Sequence, residues 1–174
     1  MKQGIIIAGF TALGKTTLAK KYDNIIDLES SLYQWKYEKN MTLEEIENNK
    51  GKKERIPNDN FPNNYIEAIM DAKSNYDIVL TFMHWKLLEY FNKNNIDFYL
   101  AYPKLDSGDI LKQRCIDRGN TEEWAQSIKD KVELWYPKLK EYNIKNIIFI
   151  DKNECLEDVL IKMGLIKTKE IQKF

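Results

Sequence analysis

The sequence of 174 residues has few of the residues that build metal sites and disulfide frameworks. Its only histidine is His84, and its two cysteines, Cys115 and Cys155, lie far apart in segments with a helical pattern. A structural zinc site needs clustered cysteine and histidine ligands, and a small disulfide scaffold needs many cysteines. The composition therefore argues against both, and we expect two free thiols in a reducing compartment.

Long apolar runs and an excess of one charge are also missing. No stretch approaches the roughly 18 apolar residues that a membrane-spanning helix needs. The 27 basic and 27 acidic residues give a formal net charge of zero, which counts against a protein that coats nucleic acid. We therefore expect one globular, cytoplasmic domain over residues 1–174 with no membrane partner, and the charge balance disfavours a nucleic-acid partner. The oligomeric state is left open.

The chain does contain a regular alternation of short apolar runs and helical patterns. Continuous apolar runs are typical of parallel strands that are buried on both faces. The predicted strands are residues 4–8, 24–28, 77–83, 97–102 and 146–150. Because helical segments separate them, the pattern predicts an α/β fold, with a five-stranded parallel sheet and helices on both faces.

Several local patterns predict where helices begin and end. A helix is predicted from Ser30 or Ser31 to about Tyr37, and Thr42 opens a capping box with the acid three residues later. The polar stretch 50–60 predicts an exposed loop. Asn120 is the predicted cap of a long helix, in which Pro137 should cause a kink or an early end.

The first predicted strand leads into a loop bracketed by glycines, Gly9-Phe10-Thr11-Ala12-Leu13-Gly14-Lys15-Thr16, which matches G-x-x-x-x-G-K-[ST]. The glycines allow a tight curl whose backbone N–H groups face one anion, and the next helix adds its positive end. Lys15 would hold the terminal phosphates, and Thr16 would offer its hydroxyl to Mg²⁺. We therefore predict ATP or a similar nucleotide, with Mg²⁺, bound by Gly9, Thr11, Ala12, Leu13, Gly14, Lys15, Thr16 and Thr17.

Two acids, Asp27 and Glu29, close the second predicted strand. Alternation puts them on one side of the strand, and ligands of such sheets bind beyond the carboxyl ends of the strands. Either acid could hold a water of the metal, orient an acceptor hydroxyl or act as a base. Asp27, within the apolar run, is the preferred metal and catalytic residue, and Glu29 is assigned to the acceptor. The alternative is that both acids only cap the next helix.

Three further residues are candidates for the chemistry. His84 ends the third predicted strand, where it either contacts the acceptor or caps the next helix. Arg114 and Arg118 are four residues apart, on one face of a helix that Gly119 should end. Two converging guanidinium groups would stabilise a phosphoryl group in transfer. A solvated helix face that pairs with nearby acids is the alternative.

The phosphate loop, the acidic strand end, the segment Arg114-x-x-x-Arg118-Gly119 and the late strand at 147–150 together resemble a known group. They are similar to the small P-loop kinases of the nucleoside monophosphate kinase and shikimate kinase group. The resemblance spans nearly the whole chain and is closest to phage-type nucleotide kinase-like proteins. It implies a three-layer P-loop NTPase fold of strand order 2-3-1-4-5. It also implies an acceptor-binding subdomain at about 30–73 and a lid at about 106–125.

The resemblance implies ATP-dependent phosphoryl transfer to a small acceptor, above all a nucleoside or deoxynucleoside monophosphate. Within the acceptor subdomain, aromatic rings could stack on a base and an arginine could grip a phosphate. The residues assigned to this role are Trp35, Arg55, Asn64 and Tyr65, although core packing is the alternative for Trp35 and Tyr65. The third strand lacks the acid that often serves the metal. A nucleotide-binding regulator without turnover, or a kinase of another small molecule or of a nucleic-acid end, therefore remains open.

Overall fold

Apolar runs form the strands, because a strand buried on both faces needs no polar alternation. The computed structural model describes residues 3–48 and 54–168. The strands in these ranges are β1 (Ile5–Gly9), β2 (Ile25–Leu28), β3 (Trp35–Lys36), β4 (Ile56–Pro57), β5 (Ile78–Phe82), β6 (Tyr99–Pro103) and β7 (Ile147–Ile150). The α-helices are α1 (Lys15–Lys21), α2 (Ser31–Gln34), α3 (Leu43–Asn48), α4 (Asn63–Ala72), α5 (Trp85–Lys93), α6 (Gly108–Asp117), α7 (Glu122–Glu141) and α8 (Leu156–Lys162).

Five strands form one parallel sheet, in the order β2-β5-β1-β6-β7. If only the five strands of this sheet are numbered along the chain, their order across the sheet is second, third, first, fourth and fifth. The full numbering departs from the predicted 2-3-1-4-5 because β3 and β4, which were not predicted, lie between the second and third and form a separate antiparallel pair. Gly9 lies opposite Phe82, and Leu28 lies opposite Thr81, so the carboxyl ends of β1, β2 and β5 share one edge.

Helices lie on both faces of this sheet. The step from β1 to β2 crosses the sheet in the opposite direction to the later steps, which places α1 on one face and α4, α5 and α7 on the other. Side-chain contacts are consistent with this placement of the helices. On the face that carries α1, the Tyr22 hydroxyl at the end of α1 donates to Glu157 of α8 at 2.8 Å. On the opposite face, Trp85 of α5 packs against Trp135 of α7, with ring centroids 5.8 Å apart.

The core lies between the sheet and these two helix layers. The central strands supply residues with no exposed surface, among them Ile6, Ile7, Val79, Leu80 and Leu100. Within residues 3–48 and 54–168, no helix combines the length and the apolar character needed to cross a membrane.

The segment between β2 and α4 differs from its prediction. The helix predicted to reach Tyr37 ends at Gln34, and the next two residues form β3. Part of the predicted loop 50–60 forms β4, where Ile56 pairs with Lys36, while residues 50–53 lie outside the described residues. The prediction was wrong here because two short segments some 20 residues apart pair with each other, which local periodicity cannot register.

Helix ends were predicted with mixed success. The capping box at Thr42 is confirmed: its backbone N–H donates to Glu45, and its hydroxyl accepts from the Glu45 N–H. Gly119 ends α6 at a φ of 94°, as predicted. The cap of α7 is Thr121 and not Asn120, because the Thr121 hydroxyl accepts from the Trp124 N–H. Pro137 lies inside α7 without ending it.

Candidate functional site

The glycine-bracketed loop connects the end of β1 to the start of α1. Its tight curl uses the left-handed region at two positions, Ala12 with a φ of 62° and Gly14 with a φ of 93°. Gly14 is the N-cap of α1 and carries no side chain to satisfy the first N–H groups of that helix. The loop therefore directs backbone donors and a positive helix end toward the carboxyl edge of the sheet.

Lys15 folds back over this loop. Its Nζ donates to the carbonyls of Gly9 at 3.0 Å and Phe10 at 2.8 Å. A Cβ at position 9 would lie 2.9 Å from the Lys15 Cδ, so the lysine stem needs a glycine there. Burial lowers the pKa of Lys15 to about 8, although the carboxylates of Asp27 and Glu29 act in the opposite direction. An anion placed at this amine would favour its charged form.

Thr16 and Asp27 meet beside the lysine. The Thr16 hydroxyl, in the first turn of α1, donates to the Asp27 Oδ2 of β2 at 2.9 Å. Burial raises the pKa of Asp27, while Lys15 and the Thr16 hydrogen bond lower it. A hydroxyl, a carboxylate and an ammonium group thus lie together at the end of β2, as the sequence predicts.

These oxygens border open space. A cleft of about 370 Å³ lies between α1 and β2 and is lined by Thr16, Asp27 and Glu29 together with Lys20 and Tyr76, among others, whereas Lys15 and residues 9–14 lie outside its lining. Mg²⁺ is usually held by one or two protein oxygens, by phosphates and by water. Within the described residues, no three His, Cys, Asp or Glu side chains could hold a metal ion by themselves. The Thr16 hydroxyl and the Asp27 carboxylate are oxygen donors of the kind that fit Mg²⁺ together with phosphates and water.

The other two candidates at the strand ends have different surroundings. The Glu29 carboxylate is exposed and accepts a hydrogen bond from the Ser31 N–H at 3.3 Å, which matches the helix-capping alternative. His84 is the N-cap residue of α5, as the capping alternative has it, but its side chain forms no capping hydrogen bond. Its Nδ1 is buried without a partner among the described residues, and burial lowers its pKa.

The two arginines lie at the end of α6, Arg114 in its last turn and Arg118 as its C-cap residue. Arg114 is half-buried and donates to the carbonyl of Ala12 in the phosphate loop at 3.2 Å. Arg118 is exposed, and its charge helps to lower the pKa of Lys15. The backbone partners of Arg114 go against the solvated-pair alternative for that residue, whereas the exposed Arg118 still fits a solvated helix face.

Two predicted acceptor residues have their polar atoms engaged with backbone. Tyr65 has no exposed surface, and its hydroxyl donates to the Leu28 carbonyl at 2.7 Å and accepts from the Phe82 N–H at 3.1 Å. The Asn64 amide donates to the Tyr33 carbonyl at 2.9 Å. The structure thus supports the core-packing alternative for Tyr65, which ties β2 to β5, and gives Asn64 a local role.

The remaining pair lies on the β3–β4 ribbon. The Arg55 guanidinium lies 5.5 Å from the ring centroid of Trp35, a cation–π contact at the surface. Trp35 is half-buried and Arg55 is exposed, so both retain surface that a ligand could contact.

One part of the site has no signal in the sequence. The connection between β7 and α8 packs against the phosphate loop, where the Leu156 N–H donates to the Leu13 carbonyl at 2.9 Å. A Cβ on Gly14 would lie 3.6 Å from the Cys155 Cβ. Arg114 also donates to the carbonyls of Lys152 and Glu154 in this connection. Such backbone partners can belong to any residue type, so no motif marks them.

No protein-family model matches the chain, and a comparison with curated proteins finds no similar protein.

Proposed function

We propose that the protein is a phosphotransferase with a P-loop NTPase fold, which moves the γ-phosphoryl group of ATP to a small acceptor. The observation that carries this proposal is the Thr16–Asp27 hydrogen bond of 2.9 Å beside Lys15, at the end of a loop of the G-x-x-x-x-G-K-[ST] pattern. A bound polyphosphate requires a cation, two oxygen atoms that can hold a metal ion, and backbone N–H donors.

Each group has a role in this proposal. Lys15 exchanges its bonds to the Gly9 and Phe10 carbonyls for the terminal phosphate oxygens, whose charge keeps the amine protonated. Thr16 and Asp27 are the residues that would hold Mg²⁺, Asp27 through a water, and the ion would neutralise charge on the phosphates. As an acceptor oxygen bonds to the γ-phosphorus, the bond to the ADP oxygen breaks. Arg118 and Lys15 stabilise the charge that is in transfer.

A nucleoside monophosphate is the proposed acceptor class. The acceptor would enter at the carboxyl ends of β2 and β5, where the ribbon carries Trp35 and Arg55 and where His84 follows β5. An aromatic ring and a guanidinium group suit a base and a phosphate. The segment at about 106–125, which includes α6 and the start of α7, would serve as the lid that keeps water from the reaction.

The test is a coupled assay of ADP formation with Mg²⁺, run against ribo- and deoxynucleoside monophosphates, nucleosides and small hydroxy acids. One acceptor should stimulate turnover, and Lys15→Ala should abolish it because the terminal phosphates lose their cation. Lys21→Ala is the matched control, since Lys21 is an exposed lysine of the same helix that pairs with Glu157 and does not line the cleft. Tight ATP binding without turnover on any acceptor would instead indicate a nucleotide-binding regulator.

A further inference from the structure

The two arginines of α6 are one turn apart but are held in different ways. The Arg114 guanidinium donates to three backbone carbonyls: Nη1 to Ala12 at 3.2 Å, and Nη2 to Glu154 at 3.3 Å and Lys152 at 3.4 Å. These carbonyls belong to two separate segments, the phosphate loop and the β7–α8 connection. Arg114 therefore joins three parts of the fold at one point.

The partner of Arg114 in the phosphate loop is an unusual residue. Ala12 has a φ of 62°, which an L-residue with a Cβ adopts at some cost in free energy. Such a conformation persists only where surrounding contacts determine it, and a charged donor on the Ala12 carbonyl is a strong contact of this kind. The β7–α8 connection adds the Leu156–Leu13 hydrogen bond next to it. Arg114 thus acts on the shape of the loop that would hold the phosphates.

Arg118 donates no hydrogen bond to the phosphate loop or to the β7–α8 connection. Its Nε donates to the Asn120 Oδ1 at 3.0 Å, and its guanidinium lies 5.7 Å from the ring centroid of Trp124. It is exposed, and its charge lowers the pKa of Lys15. Its Nη2 also donates to the Cys115 Sγ at 3.9 Å, so three local partners hold the exposed Arg118 side chain.

We propose that Arg114 is a positioning residue that fixes the phosphate loop, which leaves Arg118 as the arginine that the proposed function assigns to the phosphoryl group in transfer. The part on Arg118 rests on the proposed function. The part on Arg114 does not, because the contacts that carry it lie within the protein. Both arginines were predicted to converge on the phosphoryl group, and their surroundings separate these roles.

The proposal predicts opposite patterns of rescue by lysine. A lysine at 114 keeps the charge but offers a compact ammonium group, which cannot reach three carbonyls in two segments. A lysine at 118 keeps the charge on an exposed side chain. Arg118→Lys should therefore recover much of the kcat that Arg118→Ala loses, while Arg114→Lys should behave more like Arg114→Ala.

The first experiment reads the position of the loop without any nucleotide. Cys155 is half-buried against Gly14, and Cys115 is fully buried, so a thiol reagent with mass-spectrometric readout has one reporter and one internal reference. Arg114→Ala should speed the labelling of Cys155 about tenfold or more, equivalent to about 1.4 kcal/mol. Lys112→Ala is the matched control, because it removes one charge from the same helix, and it should leave the rate within twofold.

The second experiment measures ATP affinity and steady-state kinetics. Arg114→Ala should weaken ATP binding about tenfold or more, with thermal unfolding monitored in parallel. Arg118→Ala should change ATP affinity less than threefold while kcat falls about a hundredfold, since its contact belongs to the transition state. If Arg114→Ala does not fold, Cys155 labelling and ATP affinity are measured on Arg114→Lys instead.

The outcomes separate the two proposals. Unchanged Cys155 labelling in folded Arg114 variants would overturn the positioning role, even if the protein turns over ATP. Loss of kcat with unchanged ATP affinity in Arg114→Ala would overturn it too, because that result marks a transition-state contact. A wild-type protein without turnover on any acceptor would overturn the role of Arg118 and the proposed function, while the labelling result would still decide the role of Arg114.

Discussion

Tyr65→Phe tests whether Tyr65 belongs to the core or to the acceptor site. Its hydroxyl is fully buried and bridges β2 and β5 through Leu28 and Phe82. Burial raises its pKa, so the hydroxyl stays protonated and can donate over the whole pH range of folding experiments. The substitution keeps the ring and removes only the bridge.

The magnitude follows from the two partners that lose the hydroxyl. A buried donor or acceptor left without a partner costs about 1–3 kcal/mol, so two such groups predict a loss of about 2–6 kcal/mol in the free energy of unfolding. For a chain of this size, each kcal/mol corresponds to roughly 2–4 °C in Tm, which predicts a fall of roughly 4–24 °C. Urea unfolding followed by circular dichroism measures the first quantity, and calorimetry measures the second.

Tyr33→Phe is the control, since the Tyr33 ring lies 5.1 Å from the Tyr65 ring and is only half-buried. It should change the free energy of unfolding by less than about 0.5 kcal/mol, as surface substitutions usually do. The KM for the acceptor should be unchanged in Tyr65→Phe. An unfolding free energy equal to that of the wild type, together with a raised acceptor KM, would refute the reasoning and restore Tyr65 to the acceptor site.

Three further predictions concern the strand ends. Because burial lowers the pKa of His84 from 6.5, the unfolded chain binds more protons near that pH, and the free energy of unfolding should rise as pH increases through this window. The NMR titration of this single histidine should have its midpoint below 6.5, and a midpoint above it would contradict the burial argument. Burial raises the pKa of Asp27 above 3.8, so its ionised form destabilises the fold once the pH exceeds the raised value. Asp27→Asn should therefore be more stable than wild type in urea at pH 7, with a smaller difference near pH 4, although its kcat should fall; a variant that is less stable at pH 7 would show that the attraction to Lys15 outweighs burial. Gly9→Ala would put a Cβ 2.9 Å from the Lys15 Cδ, so it should weaken ATP binding in calorimetry while the circular dichroism spectrum stays unchanged. Wild-type ATP affinity in Gly9→Ala would mean that the lysine stem moves aside freely.

The local parts of the site could be predicted because they are encoded over a few residues. The loop from Gly9 to Thr16 needs only glycines at fixed positions, a preceding apolar run and a following helix. Asp27 could be placed beside Thr16 because parallel strands bring their carboxyl ends to one edge. The capping box at Thr42 and the glycine stop at Gly119 are likewise short-range signals.

Long-range pairing explains the predictions that differed. The ribbon of β3 and β4 joins segments whose own patterns indicate a helix and a loop, so their pairing outweighs local propensity. Tyr65 looked like a ligand-stacking ring because burial cannot be read from a tyrosine in an amphipathic helix. The cap of α7 moved by one residue because Asn120 and Thr121 are both good caps, and the chain direction after Gly119 selects between them.

By itself, the sequence determined the α/β alternation, the phosphate loop and the acid that accompanies it, because periodicity and loop chemistry are properties of neighbouring residues. The tertiary structure alone decided which polar side chains remain free for a ligand. Tyr65, Asn64 and Arg114 are polar residues near the site, and all three donate to backbone carbonyls from distant parts of the chain. Backbone carbonyls have the same chemistry at every residue. Only the three-dimensional path of the backbone therefore distinguishes a residue that holds the site in place from a residue that contacts the ligand.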